Sequence, residues 1–197
     1  EPVQEPLIDI GCGEGRLLRD LDGVSAFGCD ISRELLSRAA KEAPVVRARL
    51  PNLRWLRSGS MATAAAVFVI EHLRDAGMFF SEVARIVKSD GIFVLVMNHP
   101  AYTSDQAGPL VDVSDGEVLW RWGAYFDEGS SSEPAGADSV VFYHRPLSAL
   151  LNNAASNGFS LEKLVEAPLG LPSVSRDPGF VGQEHFPRIL GTRWRRR

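Results

Sequence analysis

The chain has 197 residues, 45% of them apolar and 23% charged, and carries a net charge of −4. That length and balance fit one globular domain that holds a core without disulfide staples, and the acidic surplus argues against nucleic acid as the main partner. No apolar run approaches the ~18 residues of a membrane helix, so no membrane partner is expected, and the only two cysteines, Cys12 and Cys29, sit in no paired motif, which points to the cytoplasm.

Along the chain, short apolar runs alternate with helical patterns. Strands are predicted at 7–10 (LIDI), 24–30 (VSAFGCD) and 45–48 (VVRA). A helix reads over 15–21, and Ser32 caps a second over 33–43, with Leu35, Leu36, Ala39 and Ala40 on one face and Pro44 at its end. The unbroken run AAAVFVI (64–70) reads as a strand covered on both faces, and GIFVLVM (91–97) as another. Between them, 75–88 is helical with Phe79, Val83, Ile86 and Val87 inward. Residues 99–138 break the pattern and end in the flexible-looking EGSSSEPAGAD. A strand (139–144), a helix from Pro146 to Gly158, and two closing strands (159–166 and 186–194) follow, with the arginine-rich RWRRR as a solvated basic end. The alternation predicts an α/β, doubly wound, Rossmann-like sheet with right-handed crossovers. It is expected to be a single domain over 1–197, with 99–145 as an insertion over the strand ends.

The first strand runs into DIGCGEG (9–15). A dinucleotide turn wants G-x-G-x-x-G, with a glycine opening the helix beneath a pyrophosphate. Here Gly11, Gly13 and Gly15 are spaced G-x-G-x-G, and Arg16 stands at the dinucleotide position, where its bulk crowds that approach. The turn suits a cofactor without phosphate. DIGCGEG resembles the D-x-G-x-G-x-G signature of the class I S-adenosylmethionine-dependent methyltransferases, in particular the type 11-like branch. FGCDIS (27–32), VFVIEHLRD (67–75), EVARIVKSDGIFVLVMNHP (82–100) and a later helix and strand from Tyr143 onward look like further segments of that family.

The resemblance implies a seven-stranded sheet, mostly parallel with the last strand antiparallel, and S-adenosyl-L-methionine as cofactor, released as S-adenosyl-L-homocysteine. It assigns Asp9 to the methionyl amine and Gly11, Cys12, Gly13 and Gly15 to the close backbone approach. Asp30 takes the ribose hydroxyls, and Ile31 beside it and Val67, within the fourth strand, are further cofactor contacts. The family's third strand usually ends in an acid facing adenine. Arg49 stands there instead, so adenine recognition falls to backbone groups near Arg49 and Leu50. The fourth strand has Met61 and Ala62 where F-D is usual. The family's leading helix, a lid over the cofactor, is expected to be absent, since Glu1 lies six residues before the first strand.

Methyl transfer needs an acceptor held in line with the sulfonium carbon, and for an oxygen acceptor a base. His72, His99 and His144 are the candidates at strand ends or in the insertion, and His185 is taken as surface. Tyr102, Trp120, Trp122 and Tyr125, with Phe126, suggest an aromatic, largely neutral wall for a small, partly apolar acceptor such as a secondary metabolite, methylated on O or N. No spacing suggests a metal site. Two alternatives stay open: an enzyme modifying tRNA or protein, and a catalytically inactive module that keeps the fold.

Overall fold

A computed structural model describes residues 3–21, 23–135, 138–170 and 178–197. In chain order, β1 (Leu7–Ile10), α1 (Arg16–Asp20), β2 (Ala26–Asp30), α2 (Arg33–Ala39), β3 (Val45–Arg47) and β4 (Met61–Val67) form the first half. A 3-10 turn (Ile70–His72), α3 (Ala76–Ile86) and β5 (Val87–Asn98) follow. After α4 (Pro100–Thr103) come two hairpins, β6 (Gly108–Val111) with β7 (Val118–Arg121), and β8 (Gly129–Ala135) with β9 (Asp138–His144). The chain closes with α5 (Leu147–Ser156), β10 (Phe159–Ala167) and β11 (Ile189–Arg196).

Seven strands form one sheet in the order β10-β11-β5-β4-β1-β2-β3. The pairs from β3 to β5 are parallel, and β11 runs antiparallel to both β5 and β10. This is the mixed sheet expected, with its one reversed strand. The order turns back between β1 and β4, so the carboxyl ends of these two strands frame the crevice where open α/β sheets bind ligands.

The main core lies around β4, β5, α3 and α5. Phe79, Phe80 and Phe93 meet edge to face at about 6 Å between centroids, and Phe159 closes the cluster 5.6 Å from Phe93. Phe79, Val83, Ile86 and Val87 are all buried, as their helical spacing predicts. A smaller cluster of Cys12, Leu18, Leu36 and Ala39 packs α1 and α2 against β2.

Four expectations need correction. The helix capped by Ser32, whose hydroxyl accepts from the Leu35 N–H, ends at Ala39, leaving Ala40 exposed. Pro44 disfavours helical backbone before it, and the chain uses 41–43 to turn into β3. The fourth strand begins at Met61 and stops at Val67, because Phe68 adopts φ 55° and the chain coils into the 3-10 turn. Within the segment 99–138, the Gly/Ser-rich stretch begins as β8, whose backbone bonds β9; residues 136–137 lie outside the described residues. Of the terminal arginines, Arg193, Arg195 and Arg196 belong to β11, an interior strand, and Arg197 follows it. Trp194 is buried there, and Arg193 and Arg195 both reach Glu162 on β10.

Candidate functional site

The turn from β1 into α1 is built by its glycines and by one acid from β2. Gly11, Gly13 and Gly15 have φ of 77°, 53° and 86°, a region costly for any residue with a Cβ. At Gly11 a Cβ would stand 2.4 Å from Val69 Cγ2, and at Gly15 it would stand 2.9 Å from the Ala39 backbone. Gly13 faces open space instead. Its N–H donates to Asp30 Oδ2 at 3.0 Å, while Ser32 N–H donates to Oδ1 at 2.8 Å. Asp30 therefore ties the glycine turn to the end of β2 and keeps a second lone pair on each oxygen for a ligand. Cys12 is buried filler against Gly28, and burial pushes its thiol up to about 12.

Asp9, on β1, is 3% exposed, and no donor among the described residues bonds its carboxyl oxygens. Burial, with the nearby Asp30 charge adding to it, raises its pKa to about 7. A buried acid with no partner, beside a turn that a single Cβ would block, is what a bound ammonium group would complete.

A cavity of about 490 Å³ opens over this turn, within the ~300–1,000 Å³ of small-molecule sites. Gly11, Asp30, Ile31, Arg49 and Leu50 line it, all named by the sequence reading. Val67 does not. The residues after Val67, Phe68 and Val69, form that wall, just past the end of β4. Phe68, with its positive φ, is 43% exposed in the cavity, and its N–H is held by Val96 carbonyl at 2.8 Å. Strained backbone of this kind concentrates at functional sites. The sequence signal for Phe68 was slight, a lone aromatic following a run of small residues. Ala48, Leu35, Leu73 and Val140 were missed as well. Val140 comes from β9, whose approach to the sheet no local pattern announces.

The loop carrying Arg49 and Leu50 is clamped from α3. Glu82 accepts from Leu53 N–H, and the Arg85 guanidinium donates to the carbonyls of Leu53 and Leu56. Arg85 also bonds Glu82, holding its carboxyl below the usual carboxylate range.

The three histidines part company. His99 is buried, its Nδ1 accepting from Ala101 N–H at 3.0 Å and its Nε2 bonding Glu166 at 2.8 Å. It caps α4. His144 is buried too, held by the Thr103 hydroxyl and the Tyr125 carbonyl, both at 2.8 Å. Both rings are hydrogen-bonded at each nitrogen, and neither lines the cavity over the β1 turn. His72 alone of the three lines the cavity. Its Nδ1 lies 3.2 Å from Val141 carbonyl, which can only accept, so Nδ1 carries the proton and Nε2 keeps the lone pair. His185 is exposed.

A second cavity, of about 310 Å³, lies beyond the end of β5 and is lined by Asn98, Tyr102, Thr103, Asp105, Phe142 and Arg188, among others. Phe142 stacks on His72 with centroids 4.6 Å apart, so the two cavities share a wall. Of the four predicted substrate residues only Tyr102 is on this surface. Trp120 stacks behind it. Trp122 and Tyr125 pack on each other, and Tyr125 against Phe126 and His144, so they build the insertion, not the cavity.

A family model described as a methyltransferase domain matches residues 8–95, from β1 into β5. The chain is 27% identical to an S-adenosylmethionine-dependent methyltransferase from Mesorhizobium loti, over 96% of this chain and 90% of that one, with a TM-score of 0.84. A Listeria monocytogenes structure described as a candidate enzyme of the same class is 21% identical, over 99% of this chain and 91% of that one, at a TM-score of 0.81. An uncharacterized protein of Haemophilus influenzae is 21% identical over 93% of this chain and 78% of its own length. Residues 8–95 match a methyltransferase domain and the sheet is that of S-adenosylmethionine-dependent methyltransferases, which implies S-adenosylmethionine as the cofactor.

Proposed function

We propose that the chain transfers a methyl group to an oxygen or nitrogen of a small-molecule acceptor, with the 490 Å³ cavity holding the cofactor and the 310 Å³ cavity the acceptor. The observation that carries this reading is the unpartnered Asp9 beside Gly11 and Asp30 at the switch point of the sheet. When bound, S-adenosylmethionine would supply an electrophilic methyl group, the electron pair of the broken C–S bond staying on its sulfur in S-adenosylhomocysteine. Asp9 holds the ammonium group, Gly11 lets the backbone approach closely, and Asp30 accepts the ribose hydroxyls. Ala48 and Leu50 would hold the adenine, beside an Arg49 side chain that offers donors only. Phe68, Val69 and Leu73 exclude water from the reacting centre. His72 Nε2 takes the proton that an O–H or N–H acceptor loses.

Asp30→Ala is expected to weaken S-adenosylhomocysteine binding by about 1–3 kcal/mol, the scale for losing a charged hydrogen-bond partner, as read by titration calorimetry. The activity itself is tested by incubating the chain with methyl-labelled S-adenosylmethionine and a pooled small-molecule extract. Label is expected in a small-molecule product. His72→Asn, which can still donate to Val141, is expected to slow that transfer about tenfold to a hundredfold with cofactor affinity unchanged. Label appearing only in protein or RNA, or an unaltered rate in the variant, would overturn the acceptor class or the role of His72 respectively.

A further inference from the structure

The turn that carries His72 is held from both sides. On one side Glu71, 1% exposed, uses a single oxygen to accept the Asn98 backbone N–H at 3.1 Å and the Asn98 side-chain amide at 2.9 Å. That ties the turn to the end of β5. On the other side stands β9. Among the described residues it pairs only with β8 and takes no place in the seven-stranded sheet, so no strand ladder fixes where it stands against the turn. Two contacts from β9 reach His72. Its Nδ1 lies 3.2 Å from the Val141 carbonyl, and the Phe142 ring packs on the imidazole with centroids 4.6 Å apart.

Arg145 follows the end of β9 directly and is 7% exposed. Its guanidinium donates to the carbonyls of Ile70 at 3.4 Å, of Arg74 at 2.7 Å and of Leu73. These three residues bracket Glu71 and His72 in the chain. Burial works against the Arg145 charge, and Glu128 and Asp75, which flank the same small cavity, favour it. A guanidinium is a planar fork that holds several acceptors in one arrangement, which the single ammonium of a lysine does not. Arg145 lines neither the cavity over the β1 turn nor the one beyond β5, so any effect it has on the reaction passes through the turn.

We propose that Arg145 is the positioning residue for His72: by fastening the end of β9 to the carbonyls on both sides of that histidine, it keeps Val141 against Nδ1 and leaves Nε2 as the basic nitrogen. This rests on the reading of His72 as the base above. A neutral imidazole is basic at one nitrogen only, and the partner of the other nitrogen decides which. His72 is exposed, and among the described residues the Val141 carbonyl is its ring's one hydrogen-bond partner. The tautomer therefore depends on how β9 is set against the turn.

The test is a proton–nitrogen correlation spectrum of the full chain carrying nitrogen-labelled histidine, recorded at pH 8. The His72 signals are those that vanish in His72→Asn. In the unaltered chain they are expected to show one tautomer, protonated at Nδ1. Arg145→Met, which keeps an apolar stem, is expected to replace them with the averaged signals of two exchanging tautomers, in a chain shown to be folded by its melting transition. Arg145→Lys, which reaches fewer of the carbonyls, is expected to lie between, and it carries the comparison if the methionine variant does not fold. In the labelled-methyl assay Arg145→Met is expected to slow transfer about tenfold, with no further loss in the His72→Asn background, because the two residues act as a unit. An Nδ1-protonated ring unchanged in the variants, or absent from the unaltered chain, would overturn the proposal. So would an equal rate loss in the His72→Asn background, which would make Arg145 a general support of the fold. The base reading fails separately. Transfer unaffected by His72→Asn, with a tautomer that still responds to Arg145, removes His72 from the chemistry and keeps the hold of Arg145 on it.

Discussion

Binding of S-adenosylhomocysteine is expected to tighten about tenfold between pH 6 and pH 8, through the ionisation of Asp9. Burial raises this carboxyl to about 7, so it is mostly protonated at pH 6 and mostly ionised at pH 8. Only the ionised form attracts the ligand's ammonium group. Stability of the ligand-free protein moves the other way. Between the ordinary carboxylate pKa of 3.8 and about 7, the folded state keeps a proton that the unfolded chain has released. Stability therefore falls as pH rises through that window, by at most about 4 kcal/mol for a shift of about three units. Asp9→Asn is expected to flatten both dependences, to leave the folded state at least as stable at pH 8, and to hold S-adenosylhomocysteine weakly at every pH. Thermal melts and titrations across pH 5–8 read both effects. A pH-independent affinity in the unaltered chain would remove Asp9 from the site.

Gly11→Ala is expected to destabilise the protein by about 2–5 kcal/mol. About 1–2 kcal/mol comes from placing an L-residue in left-handed backbone, since Gly11 has φ 77°. About 1–3 kcal/mol more comes from overpacking, because the new Cβ would meet Val69 Cγ2 at 2.4 Å. For a chain of this size the melting temperature should fall by about 5–15 °C. The same collision pushes Val69 toward the cofactor cavity it lines, so S-adenosylhomocysteine affinity falls as well. The two parts separate in the double variant Gly11→Ala/Val69→Ala. Truncating Val69 relieves the collision but not the backbone strain, so the paired change is expected to be less damaging than the sum of the two single ones. Additive effects would mean that the collision is not what Gly11 avoids.

The cofactor half of the site was legible because its determinants are local. Gly11, Gly13 and Gly15 follow a strand directly, and Asp30 closes the next one, so spacing alone brings the turn and the acid together. The sheet was legible for a related reason: buried parallel strands read as continuous apolar runs, as in β4 and β5. Endings were less so. An apolar run does not show where hydrogen-bond register stops, and Phe68 leaves the strand while looking like part of it. The cavity beyond β5 depends on long-range pairing. Arg188 and Asn98 are ninety residues apart and meet only because β11 inserts between β5 and β10. The arginines of β11 look like a solvated tail until Glu162 is found beside them. The contacts of the histidines are hidden for the same reason. His99 and His144 sit near the strand ends, as a base should, but Glu166, Thr103 and the Tyr125 carbonyl hold them from distant elements.

The central claim is that the cavity over the β1 turn is the cofactor site. Calorimetric titration of the full chain with S-adenosylhomocysteine at pH 8 tests it most directly. Saturable binding of one ligand per chain is expected, weakened at pH 6 and by Asp30→Ala. The absence of any binding heat at pH 8, from a chain shown to be folded by its melting transition, would contradict it.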